Sequence, residues 1–172
     1  MLGDDQKSME LQNIFRPFFI NLLEIFMQKL KLPDNYDEAW SDDEKERLRC
    51  YRIDIGDAMV YMIQIIGECM LEFIITRLIN SIETANNDWK TQESLIYMLQ
   101  SVVSELNESF SPEFSYANDT YLTSFINVLP RINYSNKHIL STTLLAVGKY
   151  ARYLIKIIYF TDLFLNFPFI LF

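Results

Sequence analysis

Glycine and proline are scarce in this chain: among 172 residues there are four glycines and five prolines. Turn-rich β-sandwiches and barrels need such residues at every hairpin, and a phosphate-cradling loop needs several glycines together, so both are excluded. Strand-like alternation of apolar and polar residues is absent throughout. Cys50 and Cys69 are the only cysteines, and both lie inside helical apolar patterns. We read them as free, buried and inert, in keeping with a reducing compartment. His138 is the single histidine and sits near a helix start with no cysteine nearby, so we expect a helix residue rather than a metal ligand or general base. A Cys–His nucleophile pair has no supporting motif, and no two carboxylates are set across an apolar pocket. We therefore expect no enzyme, no catalytic or metal site and no cofactor. Basic residues are also in deficit: Lys and Arg number 15 against 23 Asp and Glu, a net charge of −8. Such a surface disfavours nucleic acid and anionic membranes and favours a basic protein partner.

What is present is apolar and helix-forming. Half of the residues are hydrophobic and 15% are aromatic, enough for a sizeable core. In Asp88–Leu106 the residues Leu95, Leu99, Val102 and Leu106 recur at spacings of four and three, widened by Ile96 and Val103. That is one face of an α-helix, with Asp88 placed to cap its first turn and Trp89 to pack at its entry. Glu93, Gln100, Ser101 and Ser104 are expected on the wet side. A helix with so wide an apolar face needs neighbours, and similar helices flank it.

In chain order, Asp4 or Asp5 opens a first helix running to about Lys31. Leu11, Ile14, Phe15, Phe18, Phe19, Leu22, Phe26 and Leu30 are its expected apolar face, and Pro17 predicts a kink. An acidic loop follows. Ser41-Asp-Asp-Glu44 has the capping-box spacing and starts a second helix through Leu48, Tyr51, Ile55, Met59, Met62 and Ile66, ending near Gly67. A third helix turns Leu71, Ile74, Ile75, Leu78 and Ile82 inward. After Leu106 comes a loop with Ser111-Pro112 and Phe114. A helix over about Asn118–Ile132 then carries Leu122, Phe125, Ile126 and Leu129, with Pro130 ending it. Ser135 is expected to cap a last helix to about Ile155, with Ile139, Leu140, Thr143, Leu144 and Val147 inward. Helix, turn, helix recurs with a period of roughly 40–45 residues, which indicates an all-α, HEAT/armadillo-like α-solenoid of stacked antiparallel helix pairs. We divide the chain into a repeat segment, 1–155, and an atypical apolar tail, 156–172.

Three surfaces are candidates for protein binding. The acidic loop carries Asp34, Asp37, Glu38, Asp42 and Asp43; it is either a dock for Lys/Arg-rich partners or a solvated connector favouring a helix N-terminus. Glu72, Thr76, Asn80 and Glu83 form a polar stripe on the third helix. Thr120, Thr123, Asn127 and Arg131 form another on the fifth. Both stripes either touch a partner or are merely wet. The charges among Tyr51, Arg52, Asp54 and Asp57 are expected to tie neighbouring helices through surface ion pairs. Triplets of glycosylation type at Asn107, Asn118 and Asn133 point the other way on compartment, but the N-terminus is polar without a cleavable signal pattern, so cytoplasm and nucleus are expected.

Cys50-Tyr-Arg-Ile-Asp-Ile-Gly-Asp-Ala-Met-Val-Tyr-Met, preceded by Phe15-Arg16-Pro17 and Trp40-Ser-Asp-Asp-Glu-Lys-Glu, resembles the importin-β superfamily in its importin-13 and transportin-3 branch. Trp89 with Glu93-Ser-Leu-Ile-Tyr-Met-Leu-Gln-Ser-Val, and Val128-Leu-Pro-Arg-Ile-Asn with Ser135, continue the resemblance in order to about Tyr153. The resemblance implies a HEAT superhelix that carries protein cargo through nuclear pores under control of the GTPase Ran, with the second helix of each pair lining the concave face. It assigns the main Ran contact to N-terminal repeats that this stretch does not match. We therefore expect a central fragment, a truncated isoform or an incomplete gene model that binds basic cargo and lacks a receptor-like Ran contact. The tail from Lys156 to Phe172 is nearly continuous in aromatic and aliphatic residues, but Lys156, Asp162, Asn166 and Pro168 interrupt it, so a pseudo-helix over the last repeat, or else a foreign tail, is preferred to a membrane anchor.

Overall fold

The computed structural model describes residues 2–84, 88–108, 120–121 and 123–161, with side chains over 13–84, 88–102, 120–121 and 123–151. All regular structure among these residues is helical. The elements are α1 (Leu2–Leu30), the single turn α2 (Tyr36–Ala39), α3 (Asp42–Ile66), α4 (Glu68–Glu83), α5 (Trp89–Glu108), α6 (residues 123–128), a 3-10 turn (Leu129–Arg131) and α7 (Lys137–Thr161). The expected all-α solenoid is what forms.

Helix ends follow local chemistry. Ser41 and Glu44 make the reciprocal capping box at the start of α3: the Glu44 amide donates to Ser41 Oγ, and the Ser41 amide donates to Glu44 Oε2 at 2.8 Å. Gly67 ends α3 with φ 52° and ψ −127°, a conformation that L side chains resist, and lets α4 leave at 119°. Asp88 Oδ1 accepts from the Lys90 and Thr91 amides at the head of α5. At α7 the expected cap is displaced by one residue. Asn136 Oδ1, not Ser135, accepts from the His138 amide at 2.8 Å, while the Ser135 amide is taken by Asn133. Both residues are good caps, and the turn made by Asn133 decides between them. Pro17 lies within α1 without ending it, and Pro130 falls in the 3-10 turn that closes α6.

Cross-helix bonds give the stacking. Arg16 meets Cys69 and Arg77 meets Glu24, both 53 positions apart, so α1 and α4 run parallel in one layer. Arg52 meets Glu93 across 41 positions, Thr142 meets Glu93 across 49, and the Tyr150 hydroxyl meets the Leu99 carbonyl across 51. Hence α3, α5 and α7 run parallel in a second layer. α5 is central, packed on α1, α3, α4 and α7. One core runs through the stack: Leu23, Met27 and Leu30 of α1, Ile55, Met59, Ile63 and Ile66 of α3, Met70, Ile74 and Leu78 of α4, Leu95, Ile96 and Leu99 of α5, and Ile139, Ala146 and Tyr150 of α7. Each fully buried aliphatic side chain contributes about 1.5–3 kcal/mol relative to exposure.

Several expected faces are reassigned. In α1, Ile14, Phe15 and Phe18 are 69%, 50% and 60% exposed, and burial begins only near Leu23. Leu140 and Leu144 of α7 are likewise exposed, with Leu145 beside them, while Thr142 and Thr143 turn inward. Periodicity marks an apolar face, but whether a neighbour covers it depends on the stack, and no described helix lies over these two. Tyr51 is exposed and Arg52 takes the buried position. Cys50 is exposed and Cys69 only half-buried, so neither is a buried core thiol, though both are free. The expected positions Leu11, Val103, Ser104, Leu106, Leu122 and Ile155, the loop at Ser111-Pro112 and Phe114, and the tail from Asp162 lie outside the described residues or side chains; α7 itself continues to Thr161. No single helix among the described residues is long and apolar enough to cross a membrane.

Candidate protein-binding surfaces

The acidic segment is bound into the fold more tightly than its composition suggests. Asn35 enters α2 at φ 56°, in the left-handed region that asparagine tolerates, and so turns Asp34 and Asp37 toward different neighbours. Asp34 pairs with Lys90 at the head of α5. Asp37 receives Lys137 at 2.9 Å and His138 Nε2 at 3.0 Å, both at the start of α7. The His138 ring stacks on Trp89 at 6.1 Å and meets Tyr36 edge-on at 5.5 Å. Lys45 reaches the Asp37 carbonyl and lies over Tyr36. The hydrogen bonds from Lys137 and then His138 hold the Asp37 carboxyl below its usual range. Of the five expected docking acids, two thus serve as struts. Glu38, Asp42 and Asp43 are exposed, and among the described residues their carboxylates have no partner.

The polar stripe on α4 is divided in the same way. Glu72, Thr76 and Asn80 are exposed and line an open groove of about 390 Å³ between α1 and α4, together with Arg16, Ile20, Cys69, Phe73 and Arg77. Glu83, at the end of the stripe, meets Arg131 at 3.2 Å, which ties α4 to the 3-10 turn and occupies one expected member of each stripe. Thr120 and Asn127 are exposed, and Thr123 is half-buried. The α4 and α6 stripes are therefore joined at Glu83 and Arg131, while the acidic segment is a separate surface tied to α5 and α7.

Sequence reasoning missed the buried charges. Glu93, expected on the wet side of α5, is 1% exposed, and Gln92 and Ser94 are fully buried with it. Arg52 Nη2 lies 2.7 and 2.9 Å from the two Glu93 oxygens, and the Thr142 hydroxyl donates to Glu93 at 2.7 Å. The Arg52 guanidinium sits 4.2 Å over the Tyr97 ring. The ion pair between neighbouring helices expected around Arg52 exists, but in the interior. No spacing in the sequence marks the site: α5 has layers on both sides, a fact of the stack, and its polar positions there have nowhere wet to go. Among the described residues no three His, Cys, Asp or Glu side chains converge as a metal site would require.

Residues 31–68 match the Importin 13 repeat family, a span holding the acidic segment, the capping box, α3 and Arg52. Importin-13 of Gallus gallus is 26% identical over 155 residues, 88% of this chain, and importin-13 of Homo sapiens and of Mus musculus are each 28% identical over 153 residues, 87% of it. The chain is importin-13-like. This importin-13-like stretch spans about 15% of the length of those relatives. Its helical stack agrees with the repeat family that it matches, and the similarity extends over most of the chain, all three candidate surfaces included.

Proposed function

We propose that the chain is a non-enzymatic protein-binding segment of an importin-13-type nuclear transport receptor, working in both cytoplasm and nucleus. The similarity to importin-13 along most of the chain carries the transport reading. The carboxylates of Glu38, Asp42 and Asp43, without a partner among the described residues and beside a segment anchored by Asp34 and Asp37, support basic protein segments as the cargo. Ran is a partner of the larger receptor in this reading, not of this stretch.

Exposed ion pairs contribute at most about 1 kcal/mol each, so three acting together give an affinity of several millimolar at best. Binding should weaken steeply with salt, because at physiological ionic strength charges reach only about 8 Å. The test is titration of a fluorescent Lys/Arg-rich peptide across a salt series, against the parent and a Glu38→Gln/Asp42→Asn/Asp43→Asn variant. Ser41 is left intact and melting curves control for the loss of charge at the α3 N-terminus. Equal binding by both proteins would refute the acidic segment as the cargo surface. Sub-micromolar binding of Ran that depends on GTP would refute the division of labour.

A further inference from the structure

The groove between α1 and α4 differs from the acidic segment in carrying a guanidinium, Arg16, at one end beside the carboxylate of Glu72. Ile20 and Phe73, both half-buried, give it an apolar floor. Arg77 is committed, paired with Glu24 and lying 5.5 Å over the Phe73 ring. Arg16 has no such pairing among the described residues. Its guanidinium touches the Cys69 thiol and, among the described residues, meets no carboxylate. A second hollow of about 110 Å³, lined by Asn13, Arg16, Ile66 and Cys69, opens on its other side. A guanidinium is a planar fork of donors suited to a carboxylate, and a thiol satisfies it poorly. Glu72, Thr76 and Asn80 run along the wet wall and offer acceptors to an incoming backbone. From Cys69 to Asn80 the groove follows α4 for about 16 Å, the reach of about five residues of extended chain.

We propose that this groove docks a short extended segment of a partner protein, which places an Asp or Glu carboxylate on Arg16 and, two residues on, an apolar side chain against Ile20 and Phe73. Residues i and i+2 of an extended chain share a face, so one segment makes both contacts. The open trough suits a peptide rather than an enclosed small molecule. This goes beyond the transport reading and does not depend on it, since the charge recognised is the opposite of that sought by Glu38, Asp42 and Asp43.

Cys69 lines the groove and reports its occupancy. In the full chain carrying Cys50→Ser, the rate of Cys69 alkylation by N-ethylmaleimide is measured with and without acetyl-Ser-Asp-Thr-Phe-Ser-amide at about 10 mM, because one exposed ion pair and one aromatic contact hold more weakly than a ~1 mM complex requires. The expected result is a slowing of about two-fold, half-occupancy at that concentration, and none with the peptide whose Asp is replaced by Asn. Arg16→Gln should abolish protection, and Arg16→Glu should transfer it to the peptide carrying Lys in place of Asp, a reversal that misfolding does not produce. Glu38→Gln/Asp42→Asn/Asp43→Asn should leave protection unchanged, so failure here and failure of the basic-cargo reading are separate results. Equal protection by the Asp and Asn peptides, or protection by neither, overturns the proposal.

Discussion

Glu93 and Arg52 offer the sharpest test of how the stack is held in register. Arg52 is 9% exposed and Glu93 1%, and a single nitrogen, Arg52 Nη2, reaches both Glu93 oxygens at 2.7 and 2.9 Å. At an effective dielectric of about 20, two unit charges about 4 Å apart attract by about 4 kcal/mol. Desolvation consumes most of that, so the pair itself adds little net stability. Removing one partner is different, because the other charge stays buried. Glu93→Ala strands the Arg52 guanidinium between α3 and α5 and orphans the Thr142 hydroxyl, at a cost of about 3–5 kcal/mol. Total stabilities of such domains are about 5–15 kcal/mol, so this is a large fraction. Arg52→Met also loses the contact with Tyr97, worth about 1–2 kcal/mol. The double variant Arg52→Met/Glu93→Leu should nevertheless recover most of the loss, because apolar side chains of similar volume then meet. Urea unfolding of the parent, both single variants and the double variant measures this as a coupling of at least about 2 kcal/mol, which contacting residues show and distant ones do not. A Glu93→Ala cost below about 1 kcal/mol, or additive single effects, would refute the reasoning.

Gly56 faces Ser101, where a new Cβ would lie 3.0 Å from Ser101 Oγ; Gly56→Ala should therefore destabilise by about 1–3 kcal/mol in chemical denaturation despite its better helix propensity, with Ser101→Gly restoring the loss. Ser41→Ala removes the capping box and should cost about 1 kcal/mol, read as a lower urea midpoint at unchanged slope. The carboxyls of Asp37, Glu44 and Glu46 are held below their unfolded values of 3.8, 4.5 and 4.5, chiefly by Lys137, Ser41 and Arg49 respectively. A depressed carboxyl stabilises above its unfolded value and loses that contribution as pH falls through the folded one. Melting temperature should thus hold between pH 5 and 7 as far as these groups decide it, and fall below about pH 4. Leu144 and Leu145 are 63% and 57% exposed, so Leu144→Lys/Leu145→Lys should reduce concentration-dependent self-association in light scattering without lowering helicity.

Local chemistry was legible from the residues alone. The capping box at Ser41, the stop at Gly67, the start at Asp88 and the 3-10 turn at Pro130 each follow from side chains within a few positions of one another, so no distant contact is needed to produce them. The recurrence of helix, turn, helix also carried the solenoid, because amphipathic helices of similar length joined by short turns have few other ways to cover their faces. The stack decided the rest. Whether Glu93 is wet or buried depends on whether α7 lies over α5. Whether Leu140 and Leu144 are covered depends on whether another helix lies beyond α7, and periodicity records neither fact. The same holds for the candidate surfaces. Asp34 and Asp37 look like a docking patch when read in line, yet Lys90 and Lys137, distant along the chain, arrive beside them and neutralise them. Arg16 and Cys69 belong to helices read as separate apolar faces, and only the parallel packing of α1 on α4 makes a groove between them. Composition sets how much charge and apolar surface the chain has; tertiary packing determines which of it is left for a partner, since ion pairs and burial join residues far apart in the chain.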